Sequence, residues 1–287
     1  KACLVGVFFL AAAPLNSYAS ESDWMQYGGH EGGGRYSALT QINKDNVHKL
    51  EVAWTFKTGH LDRVPEKLSF LKHLVGFQVT PIILPNDVGG HLVLCTPFNE
   101  VIAIDPETGK QRWFYNPKID LRPFAGRFNC RGLAQWRDTD ADPNEVCAHS
   151  LFLATSDKRL IALDAKTGVP CSNFGKNGIV DVVPFIKSIE PTNQIRAMQL
   201  KSPPAVVNGV VVIGGTGNKF KDASSVNGAV RGFDARTGKF LWAFDTLVRD
   251  ENTPGYLPYT VGGANVWTTM SVDSKRDLVF VPTASAA

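Results

Sequence analysis

Three segments of the chain repeat one pattern of apolar and polar positions. They cover residues 101–113, 160–168 and 230–242, and each runs from a short apolar stretch into Asp-x-x-Thr-Gly. The aspartate can accept backbone N–H bonds within a turn, and the glycine can adopt the positive φ that closes it. Each segment therefore predicts a β-hairpin. Trp113 and Trp242 follow these glycines on the returning strand, and we expect their large rings to dock on a neighbouring hairpin.

Further apolar runs lie between the hairpins and complete units of about four short strands. The runs that precede the first, second and third hairpins are residues 76–84 with 91–95, residues 150–155, and residues 204–214. The last run carries Asn208-Gly209 between two valine-rich stretches, which is a strong signal for a tight hairpin turn. Val52–Phe56 resembles the returning strand of one more unit. Four-stranded units that repeat around an axis form a β-propeller.

The fold class that these units predict is all-β, a β-propeller of about four four-stranded blades. The last strand candidate is Leu278–Thr283, and the chain stops soon after it enters a turn. Because a propeller must close on itself, we expect either a small complete propeller or part of a larger one. The position of the chain end favours part of a larger one.

The first residues have the features of an export signal. Lys1 is followed by the apolar run Ala2–Pro14 and then by Ser17-Tyr18-Ala19, which is typical of a secretory signal cleaved after Ala19. The alternative is the end of a membrane helix, although the run is shorter than the ~20 residues that span a bilayer. We therefore expect residues 1–19 to be a signal peptide or membrane segment, and residues 20–287 to be an exported, periplasmic propeller domain.

The composition of the chain argues against several functional classes. The chain has 30 Lys and Arg residues against 27 Asp and Glu residues, well interspersed, so a nucleic-acid partner is not expected. None of the five cysteines forms a C-x-x-C pair, which argues against zinc or thioredoxin-like chemistry. Cys3 belongs to the leader, and the other four allow three pairings. The sequence does not choose among them, and our first guess is Cys130 with Cys147.

Several motifs carry a family resemblance. They follow one another along nearly the whole chain and comprise Asp23–Gly29, Arg35–Asn43, Val52–Gly59, Cys130–Ala134 and Gly262–Trp267. As a set they resemble the quinoprotein dehydrogenases that use pyrroloquinoline quinone (PQQ), with the glucose and quinate dehydrogenase branch the most similar. The resemblance implies an eight-bladed propeller, of which this chain supplies the N-terminal part. It also implies PQQ near the axis, held with Ca²⁺ or Mg²⁺.

The resemblance assigns five residues to the cofactor, and they are Gln78, Arg127, Arg131, Ser202 and Thr260. Arg131 matches the arginine beside PQQ, where its fork suits carboxylates and quinone oxygens. The alternative for Arg131 is a structural salt bridge. Three departures from the family pattern are Gln78 in place of a Glu, Arg127 in place of a His, and Lys201 in place of a Thr before Ser202.

Two asparagines match metal-ligand positions. Asn265 precedes Val266-Trp267 as the family's ligand asparagine does, and an amide oxygen suits a hard cation. The alternative for Asn265 is the role of an ordinary turn residue. Asn218 falls where the family has an acidic ligand, which leaves the metal site short of charge unless Asp222 contributes.

The resemblance implies oxidation of a hydroxyl group on a glucose-like or quinate-like sugar or polyol. Electrons would pass to ubiquinone or a cytochrome, in association with the membrane. The catalytic residue is unknown in this chain, because the general-base aspartate is expected beyond Ala287, and its loss costs ~10²–10⁴ in rate. One alternative is a cofactor-free propeller scaffold of the outer-membrane-assembly type, which lacks the asparagine motif and carries an anchor cysteine after the leader. Another is a non-functional remnant.

Overall fold

The computed structural model describes residues 24–121, 127–187, 195, 198–216, 228–258 and 262–285. Within these ranges the ordered elements are mainly strands. They are β1 (Ile82–Ile83), β2 (Leu92–Cys95), β3 (Val101–Ile104), β4 (Gln111–Tyr115), β5 (Ala134–Arg137), β6 (His149–Ala154), β7 (Arg159–Asp164), β8 (Ile179–Asp181), β9 (Ala205–Val207), β10 (Val210–Ile213), β11 (Val230–Asp234), β12 (Phe240–Phe244), β13 (Ser271–Asp273) and β14 (Leu278–Phe280).

The helical elements of these ranges are small. The α-helix α1 covers Val183–Lys187, and 3₁₀ helices cover Val47–Lys49, Glu66–Leu74 and Asn86–Val88. None of the helices in the described ranges is long and apolar enough to cross a membrane. The predicted leader, residues 1–19, lies outside the described residues.

The strands form successive antiparallel sheets, which we call blades. Blade 1 contains β1–β4, blade 2 contains β5–β8, blade 3 contains β9–β12, and the described part of blade 4 contains β13 and β14. Strand β9 contacts both β5 and β13, so the first strands of successive blades lie side by side, nearest the axis. This arrangement confirms the predicted all-β propeller architecture.

The inner strands are apolar on both faces because each blade lies between two neighbours. Every residue of β3 and of β6 is buried. Consecutive side chains of a strand point to opposite faces, so Leu151 packs in the cluster shared with blade 1, whereas Phe152 packs in the cluster shared with blade 3. The outermost strands β4 and β12 are much more exposed. The continuous apolar runs of the sequence therefore correspond to strands enclosed between blades.

The three Asp-x-x-Thr-Gly turns share the same hydrogen bonds. In each turn Oδ1 of the aspartate accepts the backbone N–H of the threonine, at 2.9 Å for Asp105, 2.8 Å for Asp164 and 2.8 Å for Asp234. The closing glycines all have positive φ, with values of 70°, 74° and 70° at Gly109, Gly168 and Gly238. These local interactions confirm the hairpins that the repeats predict.

Tryptophan rings cover the glycines of the first two turns. The Trp54 ring covers Gly109, where a Cβ would lie 2.6 Å from Cδ2 of the ring, and Trp54 Nε1–H donates to the carbonyl oxygen of Pro106 at 3.0 Å. The Trp113 ring of blade 1 covers Gly168 of blade 2 in the same way. The predicted docking of Trp113 on a neighbouring hairpin is therefore confirmed.

Other local predictions have mixed outcomes. Asn208 and Gly209 have φ values of 42° and 77°, as a type I′ turn requires, and they join β9 to β10. Trp242 lies across Gly232 of its own sheet and is 39% exposed among the described residues, so its docking on a neighbouring hairpin stays a prediction. Val52–Phe56 forms no strand among the described residues, although its Trp54 is docked on the first turn.

The guessed disulfide between Cys130 and Cys147 is wrong. The structure pairs Cys95 with Cys130, across the boundary of blades 1 and 2, and Cys147 with Cys171, within blade 2. Cys130 precedes β5, whereas Cys147 precedes β6, which runs antiparallel to β5. The length of β5 therefore separates the two residues of the guessed pair.

Candidate functional site

The segments that lead into the first strands of the blades lie side by side. The backbone N–H of Thr80, before β1, donates to the carbonyl oxygen of Arg131 at 3.0 Å. The backbone N–H of Arg131, before β5, in turn donates to the carbonyl oxygen of Lys201, before β9, at 3.2 Å. We call residues 78–80, 129–132, 201–203 and 264–267 the hub segments. They bring together residues that are far apart in the sequence.

Gly132 permits this close approach. A Cβ at Gly132 would lie 3.3 Å from Cγ of Pro203, 3.4 Å from Cδ2 of Tyr27 and 3.5 Å from the carbonyl oxygen of Thr80. Three chain segments therefore converge on one position that has no side chain. This convergence gives a physical reason for the glycine that follows Arg131 in the sequence motif.

The hub contains buried polar atoms without hydrogen-bond partners among the described residues. They are Oδ1 of Asn129, Nη1 of Arg131 and Oγ of Ser202. Asn129 and Ser202 are each 5% exposed. A buried polar group without a partner costs about 1–3 kcal/mol, so three of them in one region are typical of a site that a ligand completes. The other end of the Asn129 amide donates from Nδ2 to Oε1 of Gln78 at 2.5 Å.

The same region carries positive charge that is partly removed from water. The guanidinium carbon of Arg131 lies 5.4 Å from the centroid of the Trp267 ring, and burial lowers the pKa of Arg131. Burial, and after it the charge of Arg131, lower the pKa of Lys201 to about 8. Desolvated cations strengthen the electrostatic attraction of an anion.

Asn265 lies at the blade 4 side of the hub. Its side chain is buried, and its backbone carbonyl accepts the N–H of Ala284 at 3.0 Å. Ala264 has a φ of 48°, a left-handed conformation that costs energy outside glycine. Asn265 is two residues from Trp267, whose ring contacts Arg131. The predicted metal-ligand asparagine and the predicted cofactor arginine thus lie in adjoining parts of the hub.

The other predicted site residues have different positions. Gln78 is exposed, and it reaches the hub through its bond to Asn129. Arg127 is exposed and forms no hydrogen bond or ion pair with the hub segments in the part of the chain that the structure describes. Asn218 and Thr260 lie outside the described residues. Among the described residues, no three His, Cys, Asp or Glu side chains are grouped in a way that could hold a metal ion.

Sequence reasoning did not assign Asn129, Lys201 or Trp267 to the site. Asn129 adjoins the motif Cys130–Ala134 and Trp267 ends the motif Gly262–Trp267, but nothing in their spacing marks either as part of a site. Lys201 was noted only as a departure from the family pattern. The available signal was a charged residue immediately before a Ser-Pro-Pro turn that leads into an apolar strand.

Comparison with known proteins agrees with this geometry. The family model described as PQQ, glucose/ethanol/alcohol dehydrogenase, beta-propeller domain, matches residues 24–287. The chain is 34% identical to quinoprotein glucose dehydrogenase A of Acinetobacter calcoaceticus, over 92% of this chain and 33% of that protein. It is 33% identical to the glycerol dehydrogenase large subunit of Gluconobacter thailandicus, over 96% of this chain and 36% of that protein.

A solved structure is similar as well. The quinohemoprotein alcohol dehydrogenase ADHIIG of Pseudomonas putida HK5 superimposes with a TM-score of 0.69 and 27% identity, over 93% of this chain and 35% of that one. The chain thus spans about one third of the length of the relatives it matches. Because the family model covers residues 24–287, the chain belongs to the β-propeller family of PQQ-dependent glucose, ethanol and alcohol dehydrogenases.

Proposed function

We propose that the protein is a PQQ-dependent dehydrogenase that oxidises a hydroxyl group of a sugar or polyol. Electrons would pass to a quinone or a cytochrome. The family supports the oxidoreductase class, and relatives named as glucose and glycerol dehydrogenases support a hydroxyl-bearing carbon compound as substrate. When bound, PQQ supplies the chemistry of accepting two electrons from that carbon.

The observation that carries this proposal is the group of buried polar atoms at the hub that have no partner among the described residues. PQQ is an anionic, planar tricarboxylate, and the hub offers a guanidinium nitrogen of Arg131 and the hydroxyl of Ser202 with free hydrogen-bonding capacity. A cofactor-free scaffold would gain nothing from leaving these atoms buried without partners. The residues present therefore fit a polar, anionic group better than an apolar packing role.

The roles of the individual residues follow from their chemistry. Arg131 and Ser202 would orient the cofactor by donating hydrogen bonds to its oxygens. Gln78 would contribute its side-chain amide, and Arg127 and Thr260 remain proposed contacts from the family resemblance. Asn265, with Asn218, would offer amide oxygens to Ca²⁺ or Mg²⁺, which prefer oxygen ligands.

We also propose that the protein works in the periplasm, with residues 1–19 as its export signal. The two disulfides, Cys95–Cys130 and Cys147–Cys171, support this location, because disulfides persist in oxidising compartments.

The test is reconstitution of the protein in the form that its native cell makes. The protein is freed of cofactor, and PQQ is titrated in the presence of Ca²⁺ while binding is followed by equilibrium dialysis. Glucose, glycerol and a non-hydroxylated control compound are then offered with an artificial electron-accepting dye. We expect saturable PQQ binding and dye reduction only with hydroxyl substrates. Absence of PQQ binding would overturn the proposal and favour the scaffold.

A further inference from the structure

We propose that Lys201 binds a carboxylate together with Arg131, so that the hub holds an anionic group between cations on two neighbouring blades. The inference rests on the proposed function and extends it. It assigns a role to a residue that the family pattern gives only as a departure.

The geometry places the two cations on adjoining backbones. Arg131 leads into β5 of blade 2, and Lys201 leads into β9 of blade 3. The backbone N–H of Arg131 donates to the carbonyl oxygen of Lys201 at 3.2 Å, which fixes the spacing of the two segments. Both side chains are partly buried. Their charges influence each other, because Arg131 is the charged group that lowers the pKa of Lys201.

No described carboxylate neutralises this pair. Neither Arg131 nor Lys201 takes part in an ion pair in the ranges that the structure describes, and Nη1 of Arg131 is without a hydrogen-bond partner there. Among the described residues, the neighbours that act on Arg131 are the Tyr27 hydroxyl and the Trp267 ring, and neither is a carboxylate. Two like charges that are partly desolvated and unpaired repel each other, and this repulsion costs folding energy.

A bound anion would remove that cost. Ser202 follows Lys201 directly, is 5% exposed, and presents an Oγ without a partner among the described residues. Two cations and one hydroxyl suit the two oxygens of a carboxylate, each of which can accept more than one hydrogen bond. The carboxylate has two sources in this setting, which are PQQ itself and an acidic substrate such as a sugar acid.

The experiment compares three variants with the wild-type protein in the form that its native cell makes. Lys201→Met removes the charge and keeps the chain length, and Lys201→Arg keeps the charge. Lys239→Met is the matched control, because Lys239 is exposed on the β11–β12 turn, away from the hub. The dissociation constant for PQQ is measured by equilibrium dialysis. Binding of gluconate and glucose to the loaded protein is measured by calorimetry, and the melting temperature of the cofactor-free protein by circular dichroism.

If the carboxylate belongs to PQQ, Lys201→Met weakens PQQ binding by about 10- to 100-fold, since it removes a hydrogen bond between charged groups. Lys201→Arg and Lys239→Met change it by less than ~3-fold. If the carboxylate belongs to a substrate, Lys201→Met weakens gluconate binding and leaves PQQ and glucose binding unchanged. In either case Lys201→Met raises the melting temperature of the cofactor-free protein, which a residue with a purely structural role would lower.

The outcomes separate this inference from the proposed function. If the wild-type protein binds PQQ and the Lys201→Met variant binds PQQ and gluconate as tightly as the wild type does, only the role of Lys201 is overturned. Wild-type protein that binds no PQQ overturns the proposed function. A lower melting temperature for Lys201→Met, without a change in either affinity, assigns the residue to structure and also overturns the inference.

Discussion

The aspartates of the Asp-x-x-Thr-Gly turns have hydrogen-bond partners, whereas several buried polar atoms of the hub segments have none among the described residues. In the blade 2 turn, the Asp164 carboxylate accepts three hydrogen bonds. They come from the backbone N–H of Thr167 at 2.8 Å, the hydroxyl of Thr167 at 2.6 Å and the backbone N–H of Cys147 at 2.8 Å. At the hub, polar atoms of Asn129, Arg131 and Ser202 are buried without partners among the described residues. The aspartates of the turns are satisfied within their own blades, whereas these hub atoms have no partner in the described part of the chain.

This difference distinguishes residues that contribute to the free energy of unfolding from residues that contribute to ligand affinity. A turn whose carboxylate is satisfied within its own blade contributes to the free energy of unfolding whether or not a ligand is present. A hub that leaves donors and acceptors without partners loses stability in the free protein and recovers it when a ligand supplies them. Substitutions in the turns should therefore change unfolding, and substitutions in the hub should change ligand affinity.

The largest effect is expected from Asp164→Ala. The substitution leaves three donors without their shared acceptor, and we expect it to lower the free energy of unfolding by about 4 kcal/mol. Asp164→Asn keeps the Oδ1 acceptor and should cost about half as much. Urea unfolding of the cofactor-free protein measures both. A loss below ~1 kcal/mol for the alanine variant would show that the turn does not have the stabilising role assigned to it.

The two disulfides, one across the boundary of blades 1 and 2 and one within blade 2, give a second comparison. Cys95–Cys130 closes 35 residues and Cys147–Cys171 closes 24, so loss of either should lower the free energy of unfolding by a similar amount, about 3–4 kcal/mol. Cys130 lies between Asn129 and Arg131 in the hub. We therefore expect Cys95→Ala with Cys130→Ala to weaken PQQ binding about tenfold, and Cys147→Ala with Cys171→Ala to leave it unchanged.

Unfolding experiments on the two double variants measure the loss of stability, and equilibrium dialysis measures their affinity for PQQ. If both pairs weaken PQQ binding equally, the effect is a general loss of stability, and the difference between hub and turn is not supported.

Acid should destabilise the blade through His149. Burial lowers its pKa from 6.5 to about 4, and its Nε2 lies 2.8 Å from Oε1 of Gln135. The unfolded chain takes up a proton below pH 6.5, whereas the folded chain resists until about pH 4. The free energy of unfolding should therefore fall by up to about 3 kcal/mol as the pH drops through this interval.

His149→Gln should remove this part of the pH dependence, and His48→Gln, at an exposed position, should not. Urea unfolding at a series of pH values measures the slopes. Equal slopes for the wild type and for His149→Gln would contradict the assignment.

The smallest effect is a pH dependence of PQQ affinity through Lys201. Its pKa of about 8 in the free protein reflects burial and the facing charge of Arg131. Because a carboxylate binds the protonated amine, affinity should fall by up to tenfold for each pH unit above about 8. Lys201→Arg keeps its charge over this range and should give a flat profile. A profile for the wild type as flat as that of Lys201→Arg would contradict a role for the amine.

The sequence predicted the features that depend on near neighbours. Asp234, Thr237 and Gly238 lie within five positions of one another, so their hydrogen bonds and positive φ follow from local chemistry. The Asn208-Gly209 turn followed for the same reason. Trp113 could be expected to dock, because a ring of that size must bury its surface. Docking of Trp242 stays a prediction, because it needs a partner whose position is not a local property.

The disulfides and the hub show where prediction from sequence ends. The sequence did not choose among the three pairings of the four cysteines. The antiparallel course of β5 and β6 separates Cys130 from Cys147, and the structure shows the pairs Cys95–Cys130 and Cys147–Cys171. Arg131 was assigned by resemblance. Asn129 gained a place in the site only when the structure showed its buried Oδ1 without a partner among the described residues, and Lys201 when its backbone was seen to bond that of Arg131.

The sequence by itself determined the repeated blade, its turns and the family to which the motifs belong. Short-range hydrogen bonds and apolar runs encode these features within a few residues of each other. Only the tertiary structure decided that Arg131 and Lys201 lie on hydrogen-bonded backbones without a carboxylate near them among the described residues. Burial and electrostatic coupling depend on distance in space, and the closing of one blade against the next sets that distance.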